Sequence, residues 1–207
     1  MVSITGEKLS PKHLAQLKQS AIGDAQIAAR GYETIDNPKA LPLPFTGDIR
    51  KGSGGLLIPV WNTLGEIGTW QFKPDIPPVR DGKNLKYLNP AGGNVCLDVP
   101  AAARRFLDDA KSELWLTEGA KKVDSGASNG IPCIIGLLGV AMWQRDGRAL
   151  PDWKDICLKG RRVVIAFDSD VMTNPKVRRQ LDDLASWLTY RGASVGYCLI
   201  PPRERHP

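Results

Sequence analysis

The sequence is poor in the residues that bind zinc or form disulfides. Only two of its 207 residues are histidine, His13 and His206, and its four cysteines include no CxxC pair. The cysteines stand singly, at Cys96, Cys133, Cys157 and Cys198. No zinc site is therefore indicated, and isolated cysteines of this kind are typical of reduced core residues in a cytoplasmic protein.

Long apolar runs are also missing. No segment approaches the roughly 18 apolar residues that a membrane span needs, and the opening stretch MVSITGEKLS lacks the apolar core of a secretory signal. The glycine-rich segment KGSGG does not have the residue order of a nucleotide-binding P-loop and is interpreted as a connector. We therefore predict a cytoplasmic location without membrane contact, and no ATPase site in this chain.

The chain does have the composition of a folded protein with a basic surface. Apolar residues make up 42% and charged residues 24%, which is close to the globular average. Its 28 lysines and arginines exceed its 22 acidic residues, which gives a net charge of +6 and favours an acidic partner such as nucleic acid. Four arginines belong either to a solvated surface or to a phosphate-binding track: Arg161, Arg162, Arg178 and Arg179.

Local signals predict short helices and a hairpin in the first part of the chain. Ser10 and Pro11 are typical of a helix start, and this helix is expected to run to about Ser20. A second helix is expected from Asp24 to Gly31. The segment GLLIPVWNTLGEIGTWQF, with a polar turn in its middle, predicts a β-hairpin.

From about residue 113 the pattern alternates between strand and helix signals, which predicts a parallel α/β sheet. Four apolar segments are the expected strands: LWLTEG, IPCIIGLLG, RRVVIAFDSD and ASVGYCLIP. Between the last two, Asn174 and Pro175 predict the start of an amphipathic helix that Gly192 ends. We thus expect a helical segment with a connector over 1–50, a small α+β subdomain over 51–110 and an α/β domain over 111–207.

Three carboxylates follow two of these strands. Glu118 ends the first strand, and Asp168 and Asp170 end the third. Because the carboxyl ends of parallel strands meet at one edge of a sheet, the three are expected to lie close together. Oxygen ligands of this kind favour Mg²⁺ or Mn²⁺. A pair of aspartates at a strand end is, however, also typical of a helix cap or a turn.

This pattern resembles a known family. An apolar strand ending in Glu-Gly, followed about fifty residues later by one ending in Asp-x-Asp, resembles the Toprim fold of bacterial-type primases, topoisomerases, OLD-type nucleases and recombination proteins. The resemblance implies that Glu118 is a general acid or base near the reacting phosphate. It also implies that Asp168 and Asp170 hold the metal ion.

The segment upstream is more similar to DnaG-type primases than to the other Toprim proteins. The hairpin, followed by KYLN at residues 86–89, stands in the primase order before the Glu-Gly motif. The resemblance implies that Lys73 and Lys86 face template or nucleotide phosphates. It implies a primer-synthesising enzyme that uses NTPs and Mg²⁺ or Mn²⁺ on single-stranded DNA. The whole chain also resembles the Toprim-like domain that opens plasmid and phage replication proteins, often ahead of a helicase.

The chain departs from the primase pattern at several positions. The acidic residue expected four positions after the glutamate is Lys122, preceded by Lys121, and a basic pair can bind phosphate directly. Asp124 stands two residues late for a second metal position, and Gly55 stands where the pattern has arginine.

Two alternatives to primer synthesis remain open at this stage. One is a nickase or nuclease that uses the same carboxylates. The other, favoured by Lys121 and Lys122, is a catalytically silent module that docks DNA or a partner for a helicase.

Overall fold

The computed structural model describes residues 8–42, 45–80, 82–168 and 174–198. The first part of the chain contains α1 (Pro11–Gln19), α2 (Asp24–Arg30), β1 (Glu33–Ile35), β2 (Gly55–Trp61), β3 (Ile67–Pro74), β4 (Val79–Arg80), β5 (Lys83–Asn84) and α3 (Ala101–Arg104). The second part contains β6 (Leu114–Glu118), α4 (Ala120–Ser128), β7 (Ile134–Leu137), β8 (Gln144–Arg145), β9 (Arg148–Ala149), β10 (Arg162–Ala166), α5 (Pro175–Tyr190) and β11 (Ser194–Tyr197).

The predicted hairpin is confirmed as β2 and β3, to which β1 adds a third antiparallel strand. Gly55 begins β2, and a Cβ atom there would lie 2.4 Å from the carbonyl oxygen of Lys73. A side chain does not fit there without a shift of the backbone, so this position requires glycine in the present structure.

The second sheet is the predicted α/β element. Its strand order is β11-β10-β6-β7, and every pair is parallel. Helices α4 and α5 pack against its strands. The fold class predicted from the alternating pattern is therefore confirmed, with a four-stranded parallel sheet flanked by helices. Ala166 of β10 pairs with Thr117 of β6, which brings the carboxyl ends of these two strands side by side.

The main apolar core lies between this sheet and α5. Leu181, Leu184 and Leu188 of α5 are buried in the same cluster as Leu116 and Ile165 of the central strands. The predicted start of α5 is also confirmed, because the Asn174 side chain accepts a hydrogen bond from the backbone N–H of Lys176 at 3.1 Å.

The N-terminal helices share a core with α4. Helix α1 begins after Ser10, whose hydroxyl accepts a hydrogen bond from the backbone N–H of His13, and α2 ends at Gly31, with a φ of 78°. Ala120 of α4 is buried in one cluster with Leu17 and Ile58. The division of the chain into three regions, at residues 50 and 110, stays a prediction.

Cys96 and Cys133 are buried free thiols, and burial raises the pKa of Cys96 to about 12. None of the helices in the described ranges has the length and apolar character required to cross a membrane.

Candidate nucleic-acid interface

The structure brings Glu118 and Asp168 together at the edge of the parallel sheet. Glu118 is the last residue of β6, and Asp168 follows β10 by two residues. The backbone N–H of Asp168 donates to Oε1 of Glu118 at 3.4 Å. Asp170, the third carboxylate predicted here, lies outside the described residues.

Lys122 occupies the space between these two carboxylates. Its ammonium nitrogen lies 2.6 Å from Oδ2 of Asp168 and 3.5 Å from Oε1 of Glu118. Local geometry explains the contact, since Gly119 has a φ of 82° and turns the chain from β6 directly into α4. This junction brings Glu118, at the end of the strand, close to Lys122 in the first turn of the helix.

The described residues do not by themselves complete the predicted metal site, because Asp170 lies outside them. Across residues 8–42, 45–80, 82–168 and 174–198, no group of three or more histidine, cysteine or acidic residues is arranged to hold a metal. A protonated lysine has three donors and no lone pair for a metal. Lys122 is the ion-pair partner of both Glu118 and Asp168, so its positive charge competes with a metal ion for these carboxylates.

Asp124 does not fill the second metal position. It is completely buried, and its carboxylate accepts hydrogen bonds from Nε of Arg30 at 2.9 Å and from the hydroxyl of Tyr32 at 2.6 Å. Arg30 also donates to Asp98. Burial lowers the pKa of Arg30, but Asp98 and Asp124 together outweigh it and raise that pKa. Asp124 is therefore part of a buried ionic network that holds α4 against α2.

A cleft of about 450 Å³ opens beside the two carboxylates. It is lined by Gln71, Lys86, Tyr87, Asn89, Glu118, Gly119, Lys121, Lys122, Leu138, Gly139 and Asp168. Three of the four lysines predicted to bind phosphate, Lys86, Lys121 and Lys122, thus meet in one cleft.

Lys73, the fourth predicted lysine, is not a lining residue but lies within electrostatic reach of the cleft. The pKa of Lys73 is lowered by burial and by the charges of Lys12 and Lys86, although Asp75 opposes the shift. The pKa of Lys121 is lowered by burial and by Lys73. We refer to Lys12, Lys73, Lys86, Lys121 and Lys122 as the lysine cluster.

Sequence reasoning missed Lys12 and Gln71. Lys12 lies in α1 and forms an ion pair with Asp75 at 2.8 Å, a contact between distant segments that no local pattern indicates. Gln71 is two residues before Lys73 in β3, so its place on the same face of the strand was available from the period of two. Its side chain donates to Asn89 at 3.3 Å, within the cleft wall.

The cleft adjoins a second groove of about 670 Å³ with both polar and apolar lining residues. Tyr87 and Asn89 line both, and the groove also carries the exposed side chains of Ile76 and Val79. Tyr87 is 40% exposed. An aromatic ring next to a cluster of cations has the character of sites where bases stack and phosphates bind.

Of the four arginines considered for a phosphate track, Arg161 is excluded by its burial. Arg161 is fully buried and donates to the backbone carbonyls of Phe106 at 2.7 Å and Leu107 at 2.8 Å. It directly precedes β10, whereas Asp168 follows this strand, so the two lie at opposite ends of it. Arg178 and Arg179 pair with acidic residues of α5.

The comparison with family models gives one match. Residues 104–206 match the model described as a domain of unknown function, DUF3854. The chain has no match among the curated proteins.

Solved structures similar to this chain are DNA primase cores. The Aquifex aeolicus primase, with its zinc-binding and RNA polymerase domains, aligns with 93% of this chain at 16% identity and a TM-score of 0.63. A DNA primase domain from Pseudomonas aeruginosa aligns with 93% of this chain at 16% identity and a TM-score of 0.60. A DnaG primase catalytic domain bound to single-stranded DNA aligns with 97% of this chain at 15% identity and a TM-score of 0.62.

The chain spans 50% of the Aquifex primase chain, 65% of the Pseudomonas domain and 69% of the domain bound to single-stranded DNA. At these identities the likeness shows the fold, which is that of a primase catalytic core.

Proposed function

We propose that this chain is the primase-like core of a plasmid or phage DNA replication protein, and that its cleft binds single-stranded DNA and the phosphates of NTPs. The observation that carries the proposal is the meeting of Lys86, Lys121 and Lys122 in one cleft at the carboxyl edge of a primase-type sheet. A helicase in the same protein or as a partner would supply the unwound strand.

The geometry supports a division of the site into two parts. Lys86 and Lys121 have no carboxylate in the ion pairs found among the described residues, so their charges are available to phosphates. Tyr87, which lines both the cleft and the second groove, supplies a ring on which a base can stack. The phosphate backbone of the nucleic acid would thus bind to the lysines, and a base would bind to the neighbouring tyrosine.

Primer synthesis is the second candidate function, favoured by the contact between Glu118 and Asp168 at the edge of the sheet. In this reaction a ribonucleotide 3′-hydroxyl joins the α-phosphate of an incoming NTP and pyrophosphate leaves. Glu118 would act as general acid or base, with Mg²⁺ or Mn²⁺ on Asp168 and Asp170. This candidate requires that Lys122 release both carboxylates.

DNA binding is tested by fluorescence anisotropy with a labelled single-stranded oligonucleotide. We expect Lys86→Ala and Lys121→Ala each to weaken binding several-fold, because each removes a phosphate contact. Lys159→Ala is the matched control, since Lys159 is exposed and lies before β10, at the opposite end of the strand from Asp168. Equal affinities for all three variants and the wild type would contradict the proposal.

The reaction is tested separately with labelled NTPs on a single-stranded template and with supercoiled plasmid. Primers made by the wild type and lost in Asp168→Ala and Glu118→Gln support synthesis. Nicked plasmid without NTPs supports a nuclease instead. DNA binding with neither product supports a docking module.

A further inference from the structure

Lys122 lies where the sequence pattern predicts a divalent cation. Its ammonium group is the shared ion-pair partner of Glu118 and Asp168, which end neighbouring strands of the sheet. The side chain is 36% exposed and that of Asp168 is 50% exposed, so the pair lies at the floor of an open cleft and not in the core.

The charges around the cleft favour an anion over a second cation. Lys86, Lys121 and Lys122 line it together with the two carboxylates, which leaves one net positive charge among these described side chains. Lys73 and Lys12 add to this charge from the adjoining surface. A divalent metal ion would enter against all of them, whereas a phosphate group would be attracted.

The donors of Lys122 agree with this charge count. An ammonium group has three N–H donors. Among the described residues Lys122 contacts Glu118 and Asp168, so one of its three donors can be directed to a phosphate oxygen. Lysine can thus neutralise both carboxylates and present a donor to phosphate at the same time.

We propose that Lys122 is a built-in cation that takes the place of a divalent metal at this site, so that the cleft binds phosphate groups without Mg²⁺ or Mn²⁺. This inference rests on phosphate binding as the function of the cleft, and it opposes the metal-dependent second candidate.

The metal part is tested by titrating Mn²⁺ into the whole chain in a calorimeter. The wild type should show no saturable binding of Mn²⁺. Lys122→Glu puts a third carboxylate between the other two. This variant should bind Mn²⁺ at least tenfold more tightly, which corresponds to about 1.4 kcal/mol of binding free energy. Lys121→Glu is the matched control, because it makes the same charge change on the adjacent residue without joining the carboxylate pair. It should bind Mn²⁺ no better than the wild type.

Two results would overturn the inference. One is saturable Mn²⁺ binding by the wild type that Asp168→Asn abolishes. The other is folded Lys122→Glu protein, checked by circular dichroism, that binds Mn²⁺ no more tightly than Lys121→Glu. If Lys122→Glu does not fold, the wild-type titration and the DNA measurement below decide.

The phosphate part is tested by anisotropy with single-stranded DNA in EDTA and in Mg²⁺ at matched ionic strength. Affinities within about twofold of each other support the inference, and a tenfold loss in EDTA contradicts it. Absence of DNA binding in both buffers would refute the proposed function. In that case a gain of Mn²⁺ binding by Lys122→Glu would still support the role of Lys122 as a replacement for the metal. Failure of the proposed function can therefore be distinguished from failure of this inference.

Discussion

Arg30 is the residue on which the buried ionic network depends. Its guanidinium group donates to Asp98 and Asp124, and all three side chains are fully buried. Burial raises the pKa of Asp98, although Arg30 opposes the shift. Removing the arginine would leave two carboxylates uncompensated inside the protein.

We expect Arg30→Met to lower the free energy of unfolding by about 3 to 5 kcal/mol, which is the usual cost of leaving a buried ion without its partner. Urea unfolding at neutral pH measures this loss. Lys18→Met is the control, since it breaks the surface ion pair between Lys18 and Asp24 and should cost less than about 1 kcal/mol. Similar losses for both variants would show that the network contributes little.

The lowered pKa of Lys73 and Lys121 gives DNA binding a pH dependence. Phosphate binds the protonated amine, so affinity should be full below the lowered pKa values and should fall as pH rises through them. The decline should therefore begin below the ordinary lysine range of about 10.4. Anisotropy between about pH 7 and about pH 10 at constant ionic strength measures it. Lys121→Arg keeps its charge and should reduce the decline, whereas an identical profile would count against a role for Lys121.

At the scale of elements, α5 shows how far local signals reach. Its cap, its first-turn proline, its apolar spacing and the glycine after its end all stand within the segment 174–192, and each was predicted from the sequence.

Elements and contacts that depend on distant partners were not predicted. Strand β1 has three residues and forms only because it pairs with β2. Arg30 and Asp124 are separated by 94 residues, and their sequence neighbours give no sign of the contact. Periodicity and capping describe what neighbours in sequence do, whereas these features are set by tertiary packing.

The cap of α5 can be tested directly. We expect Asn174→Ala to lower the free energy of unfolding by about 1 kcal/mol, because it removes the acceptor for the backbone N–H of Lys176. Lys176→Ala, a change in the same turn that leaves the cap intact, should cost less than about 0.5 kcal/mol. Urea unfolding of the two variants gives the comparison, and equal losses would mean that the cap does not stabilise the helix.

At the scale of the whole molecule, the net charge of +6 matters through its distribution, since five lysines form one cluster. The logarithm of the DNA affinity should fall linearly with the logarithm of the salt concentration. Lys86→Ala and Lys121→Ala should each reduce the slope by about 0.7, the value for one phosphate contact to a single strand. Lys159→Ala should leave the slope unchanged. Salt-independent affinity would mean that phosphates are not the contacts.

The network around Arg30 also restricts how the protein can be divided for experiments. Asp124 stands in the helix that carries Lys121 and Lys122, but its partners are Arg30 at the end of α2 and Tyr32 just after it. A cloned fragment that started at residue 111 would keep the carboxylate and lose both partners, and its exposed apolar face would include Ala120. Anyone who wishes to study the cleft in isolation, or to graft it onto another replication protein, must transfer residues 24–32 with it.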